Sequence, residues 1–468
     1  MPVDTRHPDY LGHQHIWQRI RDVLAGEDAV KEAGERYLPR LKGQSYEDYA
    51  AYQARGTFHD ATSRTVHGLV GAIFRKAPTV DGPESHAELL EDVTSTGVPA
   101  AAFAKTVVRE VIALGRYGVL VDAPVTGGRA YAVGYAAESI VNWREETVAG
   151  RPTLSLVVLR ETMLRPKAED LFVADPIERY RVLRLVPGEG AQARPVYTQA
   201  VYQRGGIKRG DRGLVLAEGP FAPRRRGRTL DFIPFQFFAP SELDSAVQKS
   251  VIYGLVNANL AHFVTTVDLK HGAHFTALPT PVIAGNLNGG EPTELQIGSG
   301  VVWQLEEGAR WGMLEFSGAG LGALRQIRED EKRDMAVLGA RLLEDQKAAV
   351  EAAATVMLRH RGENSLLASI SDTVGRGLSR VLGWLVWWSG GPEAAVRVAL
   401  SKDFFEKAMT PAEMVKLIEG WQLGGYGPRV VFENLREGER LPDDMSFEEW
   451  RRDRAARAVA EAVPTAED

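Results

Sequence analysis

Cysteine is absent from the 468-residue chain, which excludes disulfides, thiolate zinc sites, iron–sulfur clusters and thiol catalysis. Long apolar runs are absent too. The longest, Val381–Trp388, is far short of the roughly 20 residues that span a bilayer. The opening residues MPVDTRHPDY lack an apolar stretch, so no signal peptide is expected. There is no G-x-x-x-x-G-K-[ST], no H-E-x-x-H and no G-x-S-x-G, which removes the usual phosphate loop, zinc-protease and nucleophile-elbow chemistries. Lysine is scarce: 13 of the 56 basic residues, against 43 arginines. That bias reads as base composition of the source genome, or as a use of the guanidinium fork. With 62 acidic residues and a net charge of −6, there is no overall basic excess, and tight general nucleic-acid binding is not expected.

What is present is ordinary for a soluble folded chain: 44% hydrophobic and 25% charged residues, with a length that suits two to four structural regions. Residues 1–115 read as helical. His15–Ala25 places Ile16, Ile20, Val23 and Leu24 on one face, Tyr46, Tyr49 and Tyr52 follow at three-residue spacing, and Thr62–Phe74 carries a clear apolar stripe. Pro78, Gly82 and Pro83 break the pattern, and two further helices are expected around His86–Val93 and Ala100–Leu114. From Tyr117 the period changes to alternation. Segments such as YGVLVDA, TLSLVVLRE, RYRVLRLV and FIPFQFF predict one antiparallel β-rich region over 117–240.

Helix is expected again over 241–276, where Ser241 and Asp244 fit a capping pattern. A 40-residue interruption of β character, 277–316, follows. Then comes Leu321–Trp388, which contains no proline and reads as two long helices jointed near Glu344–Ala349. The first, Leu321–Lys347, would be roughly 40 Å long. Its charges balance: Arg325, Arg328, Lys332, Arg333, Arg341 and Lys347 against Glu329, Asp330, Glu331, Asp334, Glu344 and Asp345. Its middle holds one strongly apolar residue, Ile327, so it is either solvated or packed against copies of itself. Toward the end, a strand is expected to close near Asp403, Pro411 starts a helix, and Ser446 with Glu449 opens a last charged one.

Four constellations carry residue types that could do chemistry. Gly318–Ala323 fits G-x-G-x-x-A after a strand, the local form of a dinucleotide fingerprint, but no second parallel strand follows at the required distance. It otherwise reads as a turn and helix start. Asp268, His271 and His274 share helical spacing and could hold a metal, or be structural histidines. The basic segment Arg204–Arg228 reads as a phosphate contact or as a solvated hairpin. Trp384, Trp387 and Trp388 read as a membrane-interface cluster or as packing. No catalytic, cofactor or metal residue is assigned from these patterns.

The chain resembles tailed-phage portal proteins, in particular a phage group known only as a domain of unknown function. The resemblance is carried by Val66–Pro78, Ala136–Glu145, Leu154–Glu161, Glu178–Leu185, Phe232–Phe238, Asn257–Phe263, Leu278–Gly285 and Glu331–Leu343, in that order. It implies an α+β portal fold with a helical and β wing, a two-helix stem, a small β-containing clip and a helical C-terminal crown. The expected parts are a wing over 1–240 (helical 1–115, β-rich 117–240), stem helices over 241–276 and 319–344, and a clip over 277–318. A tunnel loop over 345–349, a long helix with a wing return over 350–409, and a crown over 410–468 complete the scheme.

The implied role is non-enzymatic: a homo-oligomeric ring, of 12 subunits, at one capsid vertex, assembled in the host cytoplasm, through which double-stranded DNA enters and leaves. Implied partners are the terminase large subunit, a head–tail adaptor, and the major capsid and scaffolding proteins. No membrane and no cofactor enter this scheme. Gln346 and Lys347 are the expected tunnel-loop residues, and Arg333 and Arg341 the expected stem-lining or inter-subunit pairs. The alternatives are a nucleotide-dependent enzyme using Gly318–Ala323, or another virion structural protein.

Overall fold

The computed structural model describes residues 2–124, 128–148, 150–167, 170, 172–188, 194–204, 213–277, 280–284, 310–314, 318–339, 353–392, 396–404, 409, 411–442 and 445–462. The chain divides into two compact units, Met1–Leu400 and Ser401–Asp468. The architecture is α+β.

The first unit begins with helices α1 (Pro8–Ala25), α2 (Glu27–Glu32), α3 (Tyr46–Arg55) and α4 (Ala61–Ile73). Proline stands in the first turn of α1, and the ring of His7 at its N-cap accepts from the Asp9 amide at 3.1 Å. This starts the helix seven residues before the expected His15. Trp17, Ile20 and Val23 form its buried stripe. Strand β1 (Thr79–Asp81), helix α5 (Ala87–Glu91) and helix α6 (Ala100–Leu114) follow. α6 buries Phe103, Val107, Val111 and Leu114, and ends at Gly115 with a φ of 73°. Any Cβ at Gly115 would meet the Gln248 carbonyl at 2.6 Å, so both the left-handed turn and the close approach require glycine.

The expected β region resolves into two antiparallel sheets. Its strands are β2 (Tyr117–Asp122), β3 (Tyr131–Ala136), β4 (Ile140–Val148), β5 (Arg151–Pro166), β6 (Ala174–Val186), β7 (Val196–Arg204), β8 (Leu214–Phe221), β9 (Arg224–Arg225), β10 (Arg228–Thr229) and β11 (Phe235–Phe238). One sheet runs β11-β2-β3, the other β4-β5-β6-β7-β8, and β9 and β10 make a small hairpin. Every residue of β2 and β11 is buried, so these two read as continuous apolar runs rather than alternating ones.

Next come α7 (Tyr253–Ala277), β12 (Thr280–Ala284), β13 (Arg310–Leu314), α8 (Ala319–Val337), α9 (Ala353–Trp388) and β14 (Arg397–Ala399). α9 buries Leu367, Ile370, Val374, Leu378, Val381 and Leu385 in one stripe. β14 is shorter than the strand expected to reach Asp403. It pairs antiparallel with β1, Val80 opposite Val398, joining the last strand of the unit to the segment between α4 and α5.

The helix expected from residue 241 begins only at Tyr253. The Ser241/Asp244 pattern makes a turn instead: Asp244 Oδ1 accepts from the Ala246 amide at 3.1 Å, and Gln248 Oε1 from the Ser241 amide at 3.1 Å. The Ser245 and Ala246 carbonyls, which a helix would use internally, are taken by Arg116 Nη1 at 2.8 and 3.2 Å. Arg116 is buried, with its guanidinium over the rings of Trp143 (4.1 Å) and Phe237 (4.4 Å). Burial pushes its pKa down to about 9.

The second unit holds α10 (Pro411–Gln422), α11 (Pro428–Glu437) and α12 (Phe447–Ala462) around Leu417, Val431, Phe432 and Trp450. The expected capping box is present. Glu449 Oε2 accepts from the Ser446 amide at 2.8 Å, and Ser446 Oγ from the Glu449 amide at 3.2 Å.

A buried polar cluster ties the two sheets of the first unit together. Arg181 on β6 donates from Nε to Glu161 Oε1 on β5 at 2.7 Å and from Nη1 to Gln199 Oε1 on β7 at 3.1 Å. Gln199 Nε2 donates to Asp122 Oδ1 on β2 at 2.9 Å, and Tyr135 on β3 donates to Glu161 Oε1 at 2.7 Å. Burial raises the Asp122 carboxyl above its usual range. Replacing Arg181 with Met leaves two shielded carboxylates without their cation and is expected to cost about 3 kcal/mol. The check is the denaturant midpoint at unchanged slope, with a smaller loss as pH falls toward the carboxylate range.

Candidate functional site: the α7–α8 helix pair

α7 is buried along most of its circumference. Leu255, Val256, Phe263 and Val267 are shielded, and so are the polar Asn259, His262, Thr265 and Thr266. Two of these polar residues, Asn259 and Thr265, hold neighbouring elements. α4 has no side-chain cap of its own, and Asn259 supplies one from outside: its Oδ1 accepts from the Thr62 amide at 3.2 Å and from Thr62 Oγ1 at 2.8 Å, while its Nδ2 donates to the His59 carbonyl at 2.8 Å. Arg19 on α1 donates to Tyr253 Oη (3.0 Å) and Asn257 Oδ1 (3.1 Å), and Tyr52 on α3 donates to Asp268. Three N-terminal helices thus hold α7 from one side.

α8 lies along the other side. Its least exposed positions, Leu321, Leu324, Arg328, Glu331 and Met335, alternate three- and four-residue steps and mark one narrow seam. Leu321 packs where a Cβ on Gly272 would stand, 2.9 Å away, so that glycine lets the α8 start lie close to α7. Thr265 Oγ1 donates to Glu331 Oε1 at 3.1 Å across the seam. Met335, with Ala61 and Leu255, closes the C-terminal end. Among the described residues of α8, only Met335 is fully buried; Ile327, Val337 and Leu338 stand 47%, 52% and 50% exposed.

The chain between the two helices enters the antiparallel pair β12–β13, with Thr280 opposite Leu314 and Ala284 opposite Arg310. Gly318, at a φ of 65°, then caps α8. Gly320 and Gly322 stand inside the helix with open space around them. A dinucleotide loop would instead need its glycines at a tight turn before the helix, after a parallel strand. The G-x-G-x-x-A pattern is therefore a helix start following an antiparallel strand.

Of the four expected site residues, Arg333 is on the exposed side of α8, where Nη1 reaches Asp330 Oδ1 at 3.3 Å within its own helix. Arg341, Gln346 and Lys347 lie outside the described residues, as does the joint near Glu344–Ala349. Asp268 and His271 both face Tyr52, the first through a hydrogen bond and the second edge-on with ring centroids 4.8 Å apart. Among the described residues no three His, Asp or Glu side chains converge as metal ligands.

The basic segment has a use that neither sequence reading anticipated. Arg225 donates from Nε to the Trp387 carbonyl at 2.6 Å and from Nη2 to the Gly391 carbonyl at 3.2 Å, and Arg226 donates to the Gly390 carbonyl at 3.1 Å. These arginines bind one carbonyl in the last turn of α9 and two just past its end, where the helix itself has no basic residue. Trp387 packs under Arg225 (4.3 Å) and beside Phe232 (5.9 Å), so the tryptophan cluster is packing within the unit. Among the described residues no helix is long and apolar enough to cross a membrane. Arg225 could be suspected from sequence only by noticing that α9 ends without its own cation.

Residues 252–389 match a family model described as Domain of unknown function (DUF4055). The match spans under a third of the chain and includes α7, α8 and α9. It agrees with the resemblance to a family known only as a domain of unknown function. No curated protein matches the chain.

Solved structures with similarity include the neck of an empty gene transfer agent (GTA) particle computed with C6 symmetry, at 15% identity, TM-score 0.37, over 85% of this chain and 93% of that one. The virion of a native GTA particle matches at 13% identity, TM-score 0.39, over 90% and 99%. The neck of a native GTA particle computed with C12 symmetry matches at 14% identity, TM-score 0.37, over 82% and 91%. Similarity at this level assigns no role.

One side chain at the α7–α8 contact titrates unusually. His262 is buried, its Nδ1 has no partner among the described residues, and burial lowers its pKa to about 4, helped by His59, Arg328 and Lys332 and opposed by Glu329. The neutral ring is the one that fits, so its stabilisation is complete above the ordinary value of 6.5 and is lost as pH falls toward about 4. The expected result is a thermal midpoint that drops across this window in the natural protein and drops less in His262→Gln.

Proposed function

We propose that this chain is a portal-type subunit of a phage-like particle, a ring-forming structural protein rather than an enzyme. The observation that carries the reading is α8: among its described residues one, Met335, is fully buried. A helix this polar and this exposed gains burial only from other molecules. Identical copies arranged around an axis supply it at every subunit, because a heterologous contact repeated by rotation closes into a ring.

In this reading α7 and α8 are the stem, within the proposed ranges 241–276 and 319–344. The segment 277–318, with β12 and β13, is the clip that meets the terminase large subunit during packaging and the head–tail adaptor afterwards. Residues 1–240 and 350–409 form the wing, and 410–468 the crown. The major capsid and scaffolding proteins surround the wing at the capsid vertex. Double-stranded DNA passes along the ring axis. A bore of balanced charge suits this, since a strongly basic one would hold phosphates and slow passage.

Gln346 and Lys347 are the proposed constriction, and Arg333 and Arg341 the stem contacts. The nucleotide-enzyme alternative loses its support because Gly320 and Gly322 are helical positions in α8.

Negative-stain microscopy of the purified chain tests this directly. Rings with a central hole, 12-fold by class averaging, are expected; a monomer at every concentration overturns the reading. Deleting Asp345–Lys347 is expected to leave rings intact while changing how much DNA particles package or retain. Normal packaging and retention would remove the constriction assignment.

A further inference from the structure

The charges of α8 are sorted by side. At 3.6 residues per turn, Ile327, Asp330 and Asp334 fall on one flank, next to Glu331 at the seam with α7. Arg325, Glu329 and Lys332 fall on the opposite flank, next to Arg328. The first flank carries two carboxylates and no cation, and the second carries two cations and one carboxylate; at the edges of the seam, Glu331 borders the first and Arg328 the second. Arg333 stands on the outermost line between them. The side chains of Arg325, Asp330, Lys332 and Asp334 are exposed, and the ion pairs on this surface, Arg328 with Glu329 at 2.8 Å and Arg333 with Asp330 at 3.3 Å, are solvent-facing and weak. α7 covers the seam, leaving both flanks open along the length of the helix.

We infer that α8 is self-complementary between copies: the Asp330–Asp334 flank of one subunit docks against the Arg325–Lys332 flank of α8 in the next, with the helices side by side and pointing the same way. This rests on the ring reading above and specifies its interface. The sorting selects the symmetry. A two-fold contact made through either flank would set like charges against each other, which is costly. A rotational repeat sets unlike charges together at every subunit. The exposed Ile327 adds apolar area on the acidic flank. Removal of exposed carboxylates and guanidinium groups from water limits the net gain, so the charges set orientation and partner more than strength.

The test uses three full-length variants. Asp330→Lys with Asp334→Lys makes both flanks basic. Arg325→Glu with Lys332→Glu makes both acidic. The third carries all four substitutions and so exchanges the flanks. All four positions are exposed, and circular dichroism verifies the fold of each protein. Ring content is read by light scattering after size exclusion and by negative stain.

Each two-substitution variant alone is expected to lose rings by at least about tenfold. An equimolar mixture of the two is expected to regain them, and so is the four-substitution chain. Raising salt should weaken the natural rings. Rings at natural levels from either two-substitution variant alone overturn the inference while leaving the ring reading in place. Failure of both the mixture and the exchanged chain to recover does the same. Absence of rings from the natural protein overturns the ring reading itself.

Discussion

Asn259 is wholly buried on α7, and its single amide group serves both polarities at the start of α4, accepting from Thr62 and donating to the His59 carbonyl. A buried amide left half-paired would cost about 1–3 kcal/mol, and so would the uncapped α4 amide. The two needs cancel only if α7 and α4 keep their rotation and register. The rest of the first unit builds on that fixed contact. Tyr52 and Arg19 then find their acceptors on α7, and α7 presents Gly272 and Thr265 to α8 on the remaining side. The exposed helix thus owes its position to polar pairings on the far side of its neighbour.

A second set of pairings does comparable work between the sheets. Asp122, Tyr135, Glu161, Arg181 and Gln199 come from five different strands of two sheets. Apolar faces alone would let two sheets slide. Directional bonds to a planar guanidinium allow one arrangement. Arg116 contributes differently: its guanidinium lies over two aromatic rings and its Nη1 donates to two backbone carbonyls, which fixes an irregular stretch that no helix or strand organises.

Local pattern carried most of the elements. The stripe in Thr62–Phe74, the alternation from Tyr117 and the Ser446–Glu449 box are short-range signals, and short-range physics decided them. What could not be read depended on distant partners. Ser241 and Asp244 have a capping pattern, yet Arg116, more than a hundred residues away, claims the carbonyls. Three residues at Thr79–Asp81 form a strand only because Arg397–Ala399 lies beside them. One β region became two sheets because alternation shows which face a residue takes, not which sheet it joins. For the site, the polarity of α8 was legible. Its seam, and therefore the separation of its flanks, required knowing which side α7 covers.

The pairing of β1 with β14 has a consequence for how the chain can change. It fastens residues near 80 to residues near 398, so the excursion through α7, β12, β13 and α8 leaves and re-enters a body whose ends are already secured. Within that excursion, β12 and β13 run in register from Thr280–Leu314 to Ala284–Arg310, and the residues between them join two adjacent strand ends. Lengthening such a connection adds only a slowly growing entropic penalty, about 0.6 kcal/mol per doubling. The β1–β14 pairing and the β12–β13 ladder therefore shield the folded body from changes in the length of chain that runs between paired strand ends.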